Sequence, residues 1–152
     1  MSGVARTYAG PTDTRPPHRF SAFMRVGFDE TDAQAVVYYG RYFPYFDRAR
    51  VEYLRHLDLL HGLPPGVEFV MRKAECEYEA PARFDDPVEV FIRTARIGRT
   101  SQTYQFQAWH AERDLLFVTA EETLVLIDRD TRRPTNVPDV YRIPISAFED
   151  QT

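Results

Sequence analysis

The sequence predicts an α+β domain in which a curled antiparallel sheet wraps around one long central helix. Three observations carry that prediction: apolar residues at spacings of three and four in one segment, two-residue alternation in the segments around it, and short turns joining the later strands. At 152 residues the chain has the length of one ordinary domain. Hydrophobic residues make up 43% and charged residues 28%, a composition that folds without disulfide or metal staples and lies far from that of a disordered chain.

Residues 1–18 mix Gly, Pro, Thr and Ser, end near Arg15-Pro16-Pro17 and have little to bury, so a flexible N-terminal tail is expected there. The domain is expected over 19–146, with a C-terminal tail over 147–152. Phe20, Ala22, Met24, Val26 and Phe28 recur with period two and predict the first strand. A polar loop, Asp29 to Ala35, follows. Tyr42, Phe46, Ala49, Tyr53, Leu57 and Leu60 then form one apolar stripe, which predicts a helix from about Tyr42 to Leu60. Pro44 is compatible with that helix only in its first turn, where a missing N–H costs little. Gly62, Pro64 and Pro65 are expected to end it. Four further strands are expected at Glu68–Tyr78, Val88–Ile97, Thr100–His110 and Leu115–Ile127. Gly98-Arg99 and Glu112-Arg113-Asp114 have the residues of tight antiparallel connections, whereas Ala80 to Pro87 is a longer turn.

A formal net charge of -4 argues against a broad attraction to nucleic acid. No apolar run approaches the roughly 20 residues that span a bilayer, and the N-terminus lacks a signal-peptide core, so a soluble protein with no membrane insertion is expected. Cys76 is the sole cysteine, which points to a reducing, cytoplasmic setting and to a buried structural thiol. His18, His56, His61 and His110 show no metal-ligand spacing, and no metal is predicted.

Asp32 lies a few residues before the predicted helix. A carboxylate there can act as a general base on water or as a nucleophile, and the helix N-terminus beyond it can stabilise an oxyanion. The competing reading is that Asp32 only caps a turn or the helix. Arg96, Arg99, Thr100 and Ser101 cluster at a strand connection whose forked guanidiniums and hydroxyls match phosphate oxygens.

The stretch FDETDAQAVVYYGRYFPYFDRARVEYLRHL resembles the signature of the 4-hydroxybenzoyl-CoA thioesterase and YbgC-type family. FVMRKAECEYEAPARFDDPVEV and RIGRTSQTYQFQ resemble its second and third characteristic stretches, so the resemblance runs from about Arg19 to Pro144. It implies the hotdog fold and an acyl-CoA thioesterase that needs no cofactor, because a thioester is already an activated acyl group. The family's catalytic aspartate falls on Asp32. Tyr39 stands where many YbgC-type members have His, and its backbone N–H would face the thioester oxygen. Gln34 and Ala35 stand where the family often has glycine. Tyr38 and Tyr42 are candidate walls of an acyl pocket, and the Arg96 to Ser101 cluster a candidate holder of the CoA phosphates. Other hotdog enzymes carry an acidic residue within the helix, where Asp47 is the nearest equivalent; an ion pair with a neighbouring arginine is its competing role. The resemblance further implies a homodimer or homotetramer with sites at the subunit interface, and an acyl carrier protein is a further candidate partner. A non-catalytic hotdog module that binds acyl-CoA or acyl carrier protein is the alternative, since fold alone does not separate the two. A hotdog dehydratase would be expected to show a histidine near the helix start, and none stands there.

Overall fold

The computed structural model describes residues 8–150. In chain order the elements are β1 (Tyr8–Pro11), β2 (Phe20–Arg25), two single 3-10 turns (Phe28–Glu30 and Tyr39–Arg41), α1 (Tyr42–His56), β3 (Val67–Tyr78), β4 (Pro87–Ile97), β5 (Ser101–His110), β6 (Leu116–Asp128) and α2 (Asp139–Glu149). All strands join one antiparallel sheet in the order β1-β2-β4-β5-β6-β3.

The alternation in the sequence is the alternation of burial. Along β5, Gln102, Tyr104, Phe106, Ala108 and His110 are buried and the residues between them are half-exposed. Phe20 and Ala22 of β2, Val90 and Ile92 of β4, Phe106 of β5 and Val118 of β6 close one core with Tyr45, Phe46, Ala49 and Tyr53 of α1. Phe46 lies with its ring centroid 4.8 Å from that of Phe106. Burying each such side chain removes apolar surface worth roughly 1.5–3 kcal/mol, which is why the three-and-four stripe of α1 lies against the sheet. Pro44 sits in the first turn of α1, where it displaces no helical hydrogen bond.

The helix ends earlier than expected. Asp58 takes a left-handed conformation with φ 59°, its N–H bonds to the Arg55 carbonyl, and the Leu59 N–H reaches back to the Leu54 carbonyl at 2.7 Å. This is a Schellman closure made by an aspartate, a residue that tolerates left-handed backbone, with Leu54 and Leu59 packing together beneath it. Gly62 therefore lies beyond the helix end. The first strand also stops earlier, at Arg25, and Phe28 is exposed in a 3-10 turn.

Both expected tails contain structure. Tyr8–Pro11 pairs with Phe20–Phe23 of β2, and the Arg15 guanidinium stacks 3.3 Å from the Trp109 ring centroid while pairing with Asp114. A few backbone pairs and the cation–π contacts of Arg15 with Trp109 and Phe91 replace the apolar burial that the segment lacks. At the other end, residues 147–149 belong to α2, a helix that the prolines at 138 and 144 concealed. Pro138 precedes its first turn, and Pro144 is tolerated because Tyr141 and Ile145, four residues apart, are both buried. Glu149 fastens the helix, accepting from the Tyr53 hydroxyl at 2.5 Å and the Thr94 N–H at 2.7 Å.

Candidate functional site

The loop between β2 and α1 is organised by Glu30, a residue that reads as surface in the sequence. Its side chain is buried, and Oε1 accepts from the Tyr45 hydroxyl and from the Gly27 N–H, both at 2.7 Å. Arg48 approaches Oε2 at 3.4 Å, and the Glu30 carbonyl accepts from the Tyr38 N–H. The Glu30 carboxylate thus ties the Gly27 end of the loop to α1, and its backbone carbonyl holds the Tyr38 end. The signal available in the sequence was the capping-box spacing from Gly27 to Glu30. Burial first, and then the hydrogen bond to Glu30, push the Tyr45 phenol well above its ordinary range, so it remains a donor. Replacing Glu30 with Ala should cost about 1–3 kcal/mol in urea unfolding, the penalty of a buried donor left unpaired, while Glu30→Gln retains an acceptor and should lose less. Equal stability of the alanine variant and the wild type would show that the loop is held in another way.

Within that loop Asp32 is exposed and closes its own turn: Oδ1 accepts from the Gln34 N–H at 2.8 Å, and the Asp32 N–H donates to the Val36 carbonyl. Ala35, at a position where the family often has glycine, adopts φ 63°. Asp32 caps neither the 3-10 turn at Tyr39 nor α1; their cap positions are Tyr38 and Arg41, without side-chain cap bonds. Among the described residues its second carboxylate oxygen has no hydrogen-bond partner, so it is open to a proton or a carbon electrophile.

Beside the loop lies a hollow of about 220 Å³ whose walls include Val36, Val37, Tyr39, Tyr42, Tyr78 and Pro81. Tyr42 is fully packed, with its hydroxyl accepting the Ala82 N–H at 3.1 Å. Tyr38 is exposed, stacks on Tyr39 and does not line the hollow. Asp32 is not itself a lining residue and adjoins the hollow through Val36. The Tyr39 carbonyl accepts from the Tyr42 N–H and from the Tyr78 hydroxyl, while the Tyr39 and Gly40 amides stand at the start of the 3-10 turn, before its first backbone bond.

Arg96, Arg99, Thr100 and Ser101 lie elsewhere. The Asp32 loop touches residues 82–86, just before β4 begins, whereas these four follow at the far end of β4 and its hairpin. At ~3.3 Å per residue, β4 separates the two groups by roughly 30 Å. Arg99 there donates to Asn136 Oδ1 at 3.0 Å, and Arg96 has no ion-pair partner among the described residues. Asp47 is half-exposed and pairs with Arg50 at 2.7 Å. No group of three or more His, Cys, Asp or Glu among the described residues is placed to hold a metal ion, and no helix is long and apolar enough to cross a membrane.

The family model of the thioesterase-like superfamily matches residues 26–145. The acyl-CoA thioester hydrolase YbgC of Escherichia coli O6:H1 is 36% identical over 117 residues, covering 76% of this chain and 87% of its own. The acyl-CoA thioesterase YbgC of Haemophilus influenzae is 29% identical, with 78% and 88% covered. Among solved structures, a hypothetical protein of Aquifex aeolicus superposes with TM-score 0.75 at 28% identity, over 83% of this chain and 98% of its own. The 1,4-dihydroxy-2-naphthoyl-CoA thioesterase of Synechocystis superposes with TM-score 0.77 at 20% identity, over 82% and 93%, a likeness of fold alone. With its helix wrapped by an antiparallel sheet and a family match over most of its length, the chain belongs to the thioesterase-like superfamily and has the hotdog fold.

Proposed function

We propose that this thioester hydrolase cleaves acyl-CoA, with Asp32 as its catalytic carboxylate. The observation that carries the reading is a carboxylate with one oxygen held by the Gln34 N–H and the other unengaged, beside an apolar hollow and two backbone amides at the start of a helical turn. Asp32 takes a proton from water as the water oxygen attacks the thioester carbon. The charge that develops on the carbonyl oxygen is met by the Tyr39 amide, and collapse expels CoA as a thiolate, which takes up a proton. In the nucleophilic variant the carboxylate attacks directly, and the resulting anhydride is then hydrolysed. Tyr42 serves as a fixed wall of the acyl site, and Tyr38 flanks its mouth.

The reading includes a second copy. The edge formed by β1 is four residues long and contains Pro11, whereas β3 offers a 12-residue edge with Met71 and Tyr78 each 45% exposed. Long open edges pair. Antiparallel pairing of two β3 strands about a two-fold axis brings the Tyr78 end of one subunit toward the Val67 end of the other. The partner's Arg96, Arg99, Thr100 and Ser101 are then on the correct side to meet CoA phosphates that the same subunit's cluster is too far away to reach. The assembly is a dimer, or a tetramer made of two such dimers, and the sole cysteine suits a cytoplasmic setting. An acyl carrier protein would present the same thioester end.

The test is thiol release from a panel of acyl-CoAs, expected to require intact acyl-CoA and to be catalytic in the protein. Saturable acyl-CoA binding without turnover on any member would instead support a binding module.

A further inference from the structure

We propose that the face of the sheet turned away from α1 carries a second binding site, which takes an organic cation with two or more ammonium groups, such as a linear polyamine. The site is a cleft of about 630 Å³ that crosses β5, β6 and β3 and is walled on one side by His18, at the end of the strap that joins β1 to β2. Strand alternation puts it on that face. Glu121 precedes Glu122, whose carboxylate meets Arg50 of α1, and Glu75 and Glu77 flank Cys76, which packs against the core. Among the described residues, the cleft shares no lining residue with the hollow beside Asp32.

The lining accepts cations. Glu75, Glu77 and Glu121 all contribute to it, and among the described residues no lysine or arginine does. Glu75 and Glu121 stand directly opposite each other on β3 and β6, an arrangement of like charges that costs stability. Local partners cover them only in part. Lys73 approaches Glu75 at 3.0 Å from an exposed position, Gln105 donates to Glu121 at 3.1 Å, and Glu77 has no ion-pair or hydrogen-bond partner among the described residues. Independently, His18 is only 5% exposed and its Nε2 has no hydrogen-bond partner, a costly state for a buried polar atom and one that a ligand relieves. Burial brings the His18 ring down to about 4 against a hydrogen bond to the Arg15 backbone, with the Arg93 guanidinium acting in the same direction as burial, so the imidazole is neutral at pH 7. With its other nitrogen turned to that backbone, Nε2 carries the lone pair and accepts. No group of three or more His, Cys, Asp or Glu among the described residues is placed to hold a metal ion. Glu77 lies two residues along β3 from Glu75, so the negative charge is spread at intervals of roughly 7 Å. Separate ammonium groups on one flexible chain match that spread, and a single ion does not.

The experiment is isothermal titration of the full chain with spermidine at low salt. Wild type should bind it saturably, and more weakly as salt rises. The uncharged 1,8-octanediol, of similar length, should not bind. Glu77→Gln/Glu121→Gln removes two carboxylates while the amide at 121 still accepts from Gln105, and affinity should fall at least about tenfold, the worth of one charge-assisted hydrogen bond. His18→Phe keeps a ring over Phe91 and deletes Nε2, and should weaken binding at least about threefold; should it fail to fold, the Glu77/Glu121 variant carries the test alone. Asp130→Asn/Asp150→Asn changes the net charge equally at exposed positions outside the cleft and should bind as wild type does. Absence of saturable binding by wild type overturns the proposal. Equal loss in both double variants also overturns it, by showing mere attraction to an acidic protein. So does a larger wild-type assembly in sedimentation that Glu77→Gln/Glu121→Gln dissociates and that binds no spermidine, since the face would then belong to a second copy. None of these readouts depends on thioester hydrolysis.

Discussion

Asp32→Asn is expected to lower kcat on the best acyl-CoA by 10²-fold or more, with KM changed little, because an amide neither accepts a proton from water nor attacks a carbonyl carbon. The turn should survive the substitution. Oδ1 accepts the Gln34 N–H at 2.8 Å, and the asparagine amide oxygen can accept the same bond, so unfolding midpoints should stay close to wild type. That separation distinguishes catalysis from turn closure, the one structural role that the carboxylate visibly has. A variant that lost stability and activity together would mark Asp32 as a loop residue. One that retained near wild-type turnover would move the chemistry elsewhere.

The largest expected loss of stability lies under the helix. Glu122 of β6 has a side chain only 1% exposed; Oε1 pairs with Arg50 at 2.7 Å, and Oε2 has no partner. Burial pushes its carboxyl above the ordinary range, and Arg50 pulls it back. Arg50→Met should therefore destabilise the protein by about 3–5 kcal/mol at neutral pH, because it strands a buried charge. Since burial raises the folded-state pKa of Glu122 above the unfolded value, the folded form holds the proton more tightly. The deficit should be fully expressed above the folded-state pKa and should shrink as pH falls toward the ordinary carboxylate value of 4.5. Urea unfolding of Arg50→Met at neutral and acidic pH reads this directly, and adding Glu122→Leu should recover most of the loss. A neutral-pH midpoint equal to wild type would mean that Glu122 has other support.

The elements that carry the site were legible where periodicity and burial coincide. β5 alternates over its whole length, and the stripe from Tyr42 to Tyr53 has one apolar face, so both were readable. The polar loop holding Asp32 stood out because it interrupts those patterns just ahead of a helix whose start Pro44 pins. What escaped depended on long-range partners. Nothing local in Tyr8–Pro11 announces a strand, because its stabilisation comes from the edge of β2. α2 was masked by two prolines that its tertiary contacts tolerate. Glu30 and Glu122 look like solvated charges until the fold surrounds them, and the distance from Asp32 to Arg99 is invisible until β4 is laid out in full. The place of Arg96 to Ser101 at the far end of β4 from the Asp32 loop likewise shows only in the fold.

The most direct measurement of the central claim is the rate of CoA release by wild type, Asp32→Asn and Asp47→Asn on one acyl-CoA under identical conditions. Asp47 is half-exposed and paired with Arg50, so its amide variant should keep most of the wild-type rate while Asp32→Asn falls by 10²-fold or more. The reverse ranking, with Asp47→Asn inactive and Asp32→Asn near wild type, would contradict the assignment and move the catalytic carboxylate from the loop onto the helix.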